Sequence, residues 1–360
     1  MTRILVWQWS RRGGPPMFGR RLADALAGLA GVQALLSLST AADLMQEPDA
    51  PACALPYRTY TTLPGFLWRF ATAPLQLPGL ISRLRRLRPD LAICAQPGPL
   101  DLVMAAALRL LGIPYYVVVH DAEAHPGDGF PLLHRLQRLE LRLSHGVVAL
   151  SAHVGRRLAE TGALAGRRLI LSVHPPYDFG PMPPPPLSHG GRLRLLFFGR
   201  LLPYKGLDML ADAAALLGDD PGLELRVVGQ GPEAVALDRL RAIAWARVEN
   251  RWVPDDELGS LIGWADALVL PYTEASQSGV AAAAIAARRF VVATKVGGLV
   301  EQFAGEPLAR LCPPDAASVA DAIASLRRDP PLPGHTATPS WHDMAAALLA
   351  SIQAAPDRAN

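Results

Sequence analysis

Cysteine is scarce in this chain: Cys53, Cys94 and Cys312 are the only three among 360 residues. They are isolated and odd in number, so they give neither a metal-binding spacing nor a disulfide framework. Each reads as a small buried apolar residue, and a reducing cytoplasm is the expected compartment. Long apolar runs are also missing. The best candidate, near residues 102–119, is broken by Arg109, so no stretch is expected to span a bilayer. The first apolar run, Thr2-Arg-Ile-Leu-Val-Trp7, is too short for a signal peptide and reads as a strand. The net charge is only +3, with 19% of residues charged, and no basic stripe with interleaved aromatics marks a nucleic-acid partner. Two phosphate fingerprints are absent as well. No Gly-x-Gly-x-x-Gly follows the first strand, which argues against a dinucleotide dehydrogenase, and there is no Gly-x-x-x-x-Gly-Lys loop.

What is present is an alternation of short apolar runs with helical periods, and half the residues are apolar. That alternation predicts βαβ units, parallel sheets and an α/β fold. In the first half, strands are expected near 4–7, 32–38, 91–95, 115–119, 147–150 and 169–173, with helices near 19–29, 100–111, 132–144 and 152–160. The proline-rich segment 175–186 cannot enter a sheet or a helix interior and reads as a semi-rigid linker. The pattern then restarts. Strands are expected near 193–198, 223–228, 267–270 and 290–293, with helices near 207–217, 232–243, 255–262, 281–287 and 315–327. A second proline cluster at 330–339 precedes a last helix near 341–352. At this length two domains of ordinary size are expected.

Chemistry concentrates on loops at strand ends. The strand near 267–270 runs into a loop carrying Glu274, and Ser278, Gly279 and Val280 then open a helix. Ligands of open α/β sheets bind at that edge, and a helix start offers unpaired N–H groups suited to a phosphate. Glu274 beside it can accept bonds from sugar hydroxyls. Arg200 and Lys205 lie on the loop 199–206, between a strand and a helix, where fixed cations can stabilise a leaving diphosphate. Gly13-Gly14 follows the first strand and reads either as a loop facing a ligand or as a turn feeding a helix. His120 and Asp121 end the strand near 115–119. A histidine there can bind a hydroxyl or simply bond a neighbouring carbonyl. Asp121, Glu123 and His125 are candidates for an acceptor side.

Three blocks carry a family likeness. Phe197-Phe-Gly-Arg-Leu-Leu-Pro-Tyr-Lys-Gly-Leu207, Val227-Val-Gly-Gln-Gly-Pro232 and Pro271-Tyr-Thr-Glu-Ala-Ser-Gln-Ser-Gly-Val280, followed by Phe290-Val-Val-Ala-Thr-Lys-Val-Gly-Gly298, together resemble the donor-binding signature of family 4 retaining glycosyltransferases. The resemblance implies a GT-B fold: two Rossmann-like domains facing a central cleft, with a C-terminal helix returning to the first. On that reading residues 1–174, with 340–360 packing back on them, form the acceptor-side domain. Residues 175–190 are the linker, and 191–335 bind the nucleotide-sugar. His120, Arg200, Lys205 and Glu274 take catalytic roles. Gly13, Gly14, Gly199, Gly229, Gly231, Val253, Ser278, Gly279 and Val280 contact the donor, the last three through backbone N–H groups. Asp121 and His125 lie on the acceptor side.

The expected substrates are a nucleotide-sugar donor and an acceptor hydroxyl, with retention of configuration. The resemblance implies that the leaving phosphate itself takes the acceptor proton. No Asp-x-Asp handle stands at a strand end, so no metal and no cofactor are expected. One departure stands out: where the family carries a second glutamate that binds the ribose, this chain has Ala283 between Ala282 and Ala284. That leaves a non-catalytic nucleotide binder, or a nucleotide-sugar epimerase of the same fold, as alternatives. Finally, aromatics in 64–71 precede a helix with four arginines near 80–88. That pairing fits either peripheral membrane docking, which would suit a lipid-linked acceptor, or a helix with a solvated basic face.

Overall fold

The computed structural model describes residues 1–123, 131–177, 192–328 and 339–354, with the backbone alone for 131–134. Contacts divide the chain into two compact units, residues 1–123, 129–174 and 339–360 in one and 124–128 and 175–338 in the other.

The first unit is built on β1 (Thr2–Gln8), α1 (Gly14–Ala27), β2 (Val32–Leu38), α2 (Leu63–Ala71), α3 (Ala73–Leu87), β3 (Leu91–Cys94), α4 (Asp101–Leu110), β4 (Tyr115–Val119), α5 (Pro131–Leu143), β5 (Gly146–Ala149), α6 (Ala152–Glu160) and β6 (Arg168–Leu171). Its strands pair in parallel in the order β2-β1-β3-β4-β5-β6. β3, β4 and β5 are near-continuous apolar runs because helices cover both faces of a parallel sheet. Two apolar clusters result. One, around Trp7, Val117 and Val147, lies against α3, α4 and α6; the other, around Val6, Ile93 and Val148, lies against α1.

α1 begins five residues earlier than the periodicity predicts, with Pro15 and Pro16 inside its first turn, where a missing N–H costs no intrahelical bond. Residues 63–71 form a helix of their own, capped by the Thr62 hydroxyl on the Gly65 N–H.

The second unit contains β7 (Leu193–Phe198), α7 (Leu207–Leu217), β8 (Leu223–Gly229), α8 (Val235–Arg241), β9 (Ala246–Asn250), α9 (Asp255–Trp264), β10 (Ala267–Leu270), α10 (Gly279–Ala286), β11 (Phe290–Thr294), α11 (Leu299–Gln302), β12 (Ala309–Cys312) and α12 (Ala316–Arg328). Its parallel order is β12-β11-β10-β7-β8-β9. β9 and β12, which the sequence reading lacks, are the two edge strands.

The last helix, α13 (Trp341–Gln353), starts with a capping box between Ser340 and Asp343. Met344, Ala345 and Leu348 join the α1 cluster of the first unit, Trp341 meets Phe18 edge-on, and the Ala354 carbonyl accepts from Arg168 at 2.9 Å. Among the described residues no helix is long and apolar enough to cross a membrane.

Candidate functional site

Strand order locates the site in the second unit. The chain runs from β7 outward to β8 and β9, then returns to lay β10 on the other side of β7, with Ala267 opposite Leu195. The loops leaving β7 and β10 therefore diverge at a topological switch point, where a crevice opens at the C-terminal strand ends. One loop carries Arg200 and Lys205; the other carries Glu274 and leads to Ser278.

The two loops are held together by backbone. Thr273 N–H donates to the Tyr204 carbonyl at 2.9 Å. Gly206 takes φ 72° and comes so near β10's loop that a Cβ would stand 1.7 Å from the Pro271 oxygen. Only glycine fits both constraints. Gly229 is under similar pressure, since its Cβ would lie 1.7 Å from the Gly199 oxygen, and Gly199 in turn lies beside Val280.

Side chains then link the loops. Arg200 Nη2 donates to the Tyr204 hydroxyl at 2.8 Å. Lys205 Nζ sits 3.8 Å from the centre of the Tyr272 ring and 5.0 Å from that of Tyr204. Such a cation–π contact is worth about 1–2 kcal/mol when partly desolvated, and Lys205 is half-buried. The Tyr272 hydroxyl stands 3.5 Å from Ser278 Oγ. Burial pushes its pKa up to about 12, so the ring stays neutral beside the two cations. Arg200, Lys205 and Ser278 thus share one neighbourhood through Tyr204 and Tyr272. Glu274 is exposed on the same loop.

At the start of α10, Ser278 Oγ accepts from the Ala281 N–H. Of the three amides expected to face a phosphate, that of Ser278 is already engaged: it donates to Gln302 Oε1 at 2.7 Å, while Gln302 Nε2 donates to the Ser278 carbonyl at 3.1 Å. Gly279 and Val280 remain, with no hydrogen-bond partner for either N–H among the described residues. Ala283, where the resemblance puts a second acid, is packed in the apolar core, and Ala282 and Ala284 are equally enclosed. No carboxylate stands on this helix.

The glycine turn after β8 is also more committed than expected. Gly231 N–H donates to Asn250 Oδ1 and its carbonyl accepts from Asn250 Nδ2, at 3.1 and 3.0 Å. The Gly229 carbonyl accepts from the Arg251 N–H. These groups serve the loop itself. Val253 turns its half-buried side chain toward the unit's core.

In the first unit the corresponding switch lies between β1 and β3. Gly13 caps α1 and Gly14 opens it. His120, at the end of β4, is buried, and its Nε2 lies 3.0 Å from the Ala95 carbonyl, which can only accept. Nε2 therefore carries the proton. Burial holds the ring's pKa below the usual histidine value, against the pull of the Asp121 carboxylate, so the ring is neutral. The Asp121 carbonyl accepts from Gln137 at 3.4 Å. Glu123 is drawn into an ion pair with Arg157 of α6. His125 lies outside the described residues.

One further titratable cluster lies apart from both switch edges. Cys94, Asp101 and Glu140 bring their sulfur and oxygen atoms within 4.8 Å of one another, fully buried between β3, α4 and α5. Burial raises Asp101 to about 7 and pushes Glu140 and Cys94 well up. The Gly98 N–H donates to Asp101 at 2.8 Å.

Sequence reasoning missed Tyr204, Tyr272, Asn250 and Gln302. The two tyrosines each adjoin a motif residue and were open to notice. Gln302, 24 residues beyond its partner, had no local signal.

Comparison with known proteins bears on the family and the fold. Residues 12–171 match the family described as Glycosyltransferase Family 4, and residues 192–329 match Glycosyl transferases group 1. The chain is 28% identical to the D-inositol 3-phosphate glycosyltransferase of Arthrobacter sp. (strain FB24), with 96% of this chain and 91% of that relative covered. It is also 28% identical to the 2-deoxystreptamine glucosyltransferase of Streptomyces kanamyceticus, covering 69% and 71%. Among solved structures, Anabaena Alr3699/HepE in complex with UDP and glucose superposes with a TM-score of 0.68 at 19% identity, over 98% of this chain and 95% of that one. Matched in both halves, the chain belongs to the group 1, family 4 glycosyltransferases and has their GT-B fold.

Proposed function

We propose that this glycosyltransferase moves a sugar from a nucleotide-diphospho-sugar to an acceptor hydroxyl with retention of configuration and without a metal, in cell-surface polysaccharide or glycolipid synthesis. The observation that carries the reading is the meeting of Arg200, Lys205 and the start of α10 at the β7/β10 switch point. As the glycosidic bond breaks, charge builds on the leaving diphosphate. Arg200 and Lys205 neutralise that charge, and the Gly279 and Val280 amides bind it. Cations already held on tyrosine rings need little reorganisation, so their effect falls on the transition state. Glu274 orients the sugar hydroxyls. The departing phosphate oxygen takes the acceptor proton.

In the first unit, Gly13 and Gly14 contact the donor, His120 presents a neutral ring to the sugar's reacting face, and Asp121 serves the acceptor side. The solved relative holding UDP and glucose makes UDP-glucose the first donor to try. A donor panel read by product analysis identifies the sugar. On that donor, Lys205→Ala should lower kcat by at least a hundredfold while circular dichroism and thermal melting stay as in the wild type. Near-normal turnover by Lys205→Ala would refute the assignment. Product formed from the donor without any acceptor would instead indicate an epimerase.

A further inference from the structure

α2 turns the wrong face to water. Leu63, Leu67, Trp68 and Phe70 are 67%, 59%, 70% and 40% exposed, and no residue of the helix is buried. Its single charge points inward: Arg69 Nε donates to the Thr59 carbonyl at 3.3 Å and Nη1 to Gln76 Oε1 at 2.9 Å. Phe66, beside Tyr60, makes the contact with the core. A helix lying on a water-facing surface has the opposite arrangement.

The apolar side continues onto α3. Leu75, Pro78, Gly79, Ser82, Arg85 and Arg86 recur at helical spacing, and all are exposed. That stripe is apolar at its start and cationic at its end, over roughly 16 Å of helix.

Charge is distributed to match. Between Asp49 and Asp90 the chain carries six arginines and no acidic residue. The whole chain has 35 basic and 32 acidic residues, so without these six the acids outnumber the bases by three. An unbroken cationic segment is thus joined to an exposed apolar patch, on a protein otherwise slightly acidic. Hydrocarbon contact and phosphate contact are wanted on one surface, and an anionic lipid bilayer supplies both.

We infer that the α2–α3 face docks on an anionic membrane surface, with Leu63, Leu67, Trp68 and Leu75 entering the boundary between headgroups and acyl chains and Arg85, Arg86 and Arg88 lying on headgroup phosphates. Docking deepens the functional reading, since it presents the enzyme to a lipid-borne acceptor, but it does not depend on turnover.

The test is flotation of the full-length protein with phosphatidylcholine vesicles containing about a third phosphatidylglycerol, set against phosphatidylcholine alone, at low and high salt. The wild type should float with the anionic vesicles and lose much of that binding at high salt. The triple variant Arg85→Gln, Arg86→Gln, Arg88→Gln should bind on the order of a hundredfold more weakly, about fivefold for each cation. Leu67→Ser with Trp68→Ser should lose on the order of tenfold or more while keeping the salt dependence. Lys205→Ala should float like the wild type, so failure of docking and failure of the catalytic reading are separable. A wild type that ignores anionic vesicles, or two surface variants that bind as it does, would overturn the inference. So would a dimer, seen by light scattering without vesicle binding, that Leu67→Ser with Trp68→Ser dissolves; that result would assign the face to a second copy.

Discussion

Replacing Gln302 with methionine removes the side-chain amide that brackets the Ser278 backbone at the start of α10. The amide of Gln302 spans Ser278, taking its N–H at 2.7 Å and giving to its carbonyl at 3.1 Å. Ser278 is only 3% exposed, so water does not replace what is lost. The carbonyl keeps a partner, because the Ala282 N–H also donates to it at 3.1 Å. The N–H keeps none. An orphaned buried donor costs about 1–3 kcal/mol, and the lost carbonyl bond adds about 0.5–1.5. Gln302→Met should therefore destabilise the second unit by about 2–3 kcal/mol, read from its urea transition.

Binding should suffer too, because the proposed phosphate amides of Gly279 and Val280 are the next two along. A loss on the order of tenfold in UDP affinity by calorimetry is expected, equal to about 1.4 kcal/mol. Gln302→Glu sharpens the test. Its carboxylate can still accept from Ser278 N–H, so stability should recover partly. It also puts a negative charge beside the amides meant for a diphosphate, so affinity should fall below that of Gln302→Met and improve with salt. Wild-type stability and affinity in Gln302→Met, or tighter UDP binding by Gln302→Glu than by Gln302→Met, would refute the reasoning.

Other outcomes follow from the same geometry. Tyr272→Leu removes the ring 3.8 Å from Lys205 Nζ and should lower kcat/KM roughly fivefold, for about 1 kcal/mol of cation–π energy, far less than Lys205→Ala. Gly206→Ala sets a Cβ against the Pro271 oxygen at φ 72° and should cost on the order of 3 kcal/mol, seen as a lower thermal midpoint of the second unit. Asp101, raised to about 7 from 3.8, holds a proton when folded that it releases when unfolded. Its contribution is thus complete below about pH 4 and lost as pH rises through 7, by a few kcal/mol in all. The urea midpoint of the first unit should fall between pH 5 and pH 8, and Asp101→Asn should flatten that fall.

The sequence exposed the strands it buried most completely. β4 and β10 are unbroken apolar runs at the centres of their sheets, and β7 is apolar from Leu195 onward with Arg194 near its start, because helices on both faces disfavour polar residues there. β9 and β12 escaped because they are edges. Ala246-Arg-Val-Glu-Asn250 and Ala309-Arg-Leu-Cys312 carry charge into the strand, as edges do, and so lose the signal that marks a core strand. Residues 63–71 escaped as a helix because their apolar face is on the outside, where a periodicity argument expects polar residues. In the candidate site, residues inside the glycine-containing loops were legible because strand, loop and helix start are contiguous in sequence. Contacts that close over distance, such as Gln302 on Ser278 and Asn250 on Gly231, arise only when separate loops meet.

The two switch edges also differ in what they can offer an anion, and the difference bears on which unit takes the diphosphate. Both have a helix starting just past a central strand: α1 after β1 and α10 after β10. α1 opens with Gly14, Pro15 and Pro16, so two of its first three helical residues have no N–H to give. α10 opens with Gly279 and Val280, whose amides are unclaimed among the described residues, and Arg200 and Lys205 stand on the loop of the neighbouring strand. At the first edge the nearest cations are turned to other work, Arg11 on the Thr61 carbonyl and Arg12 on Asp43. A helix dipole alone is worth well under the effect of two fixed cations and two aligned amides in a crevice. The diphosphate should therefore bind the second unit, which leaves the first edge, with its neutral His120, suited to an uncharged hydroxyl. Arg11→Ala and Arg12→Ala should accordingly leave UDP affinity within about twofold of the wild type, whereas Arg200→Ala should reduce it on the order of tenfold or more; the reverse order in calorimetry would place the phosphate on the other unit.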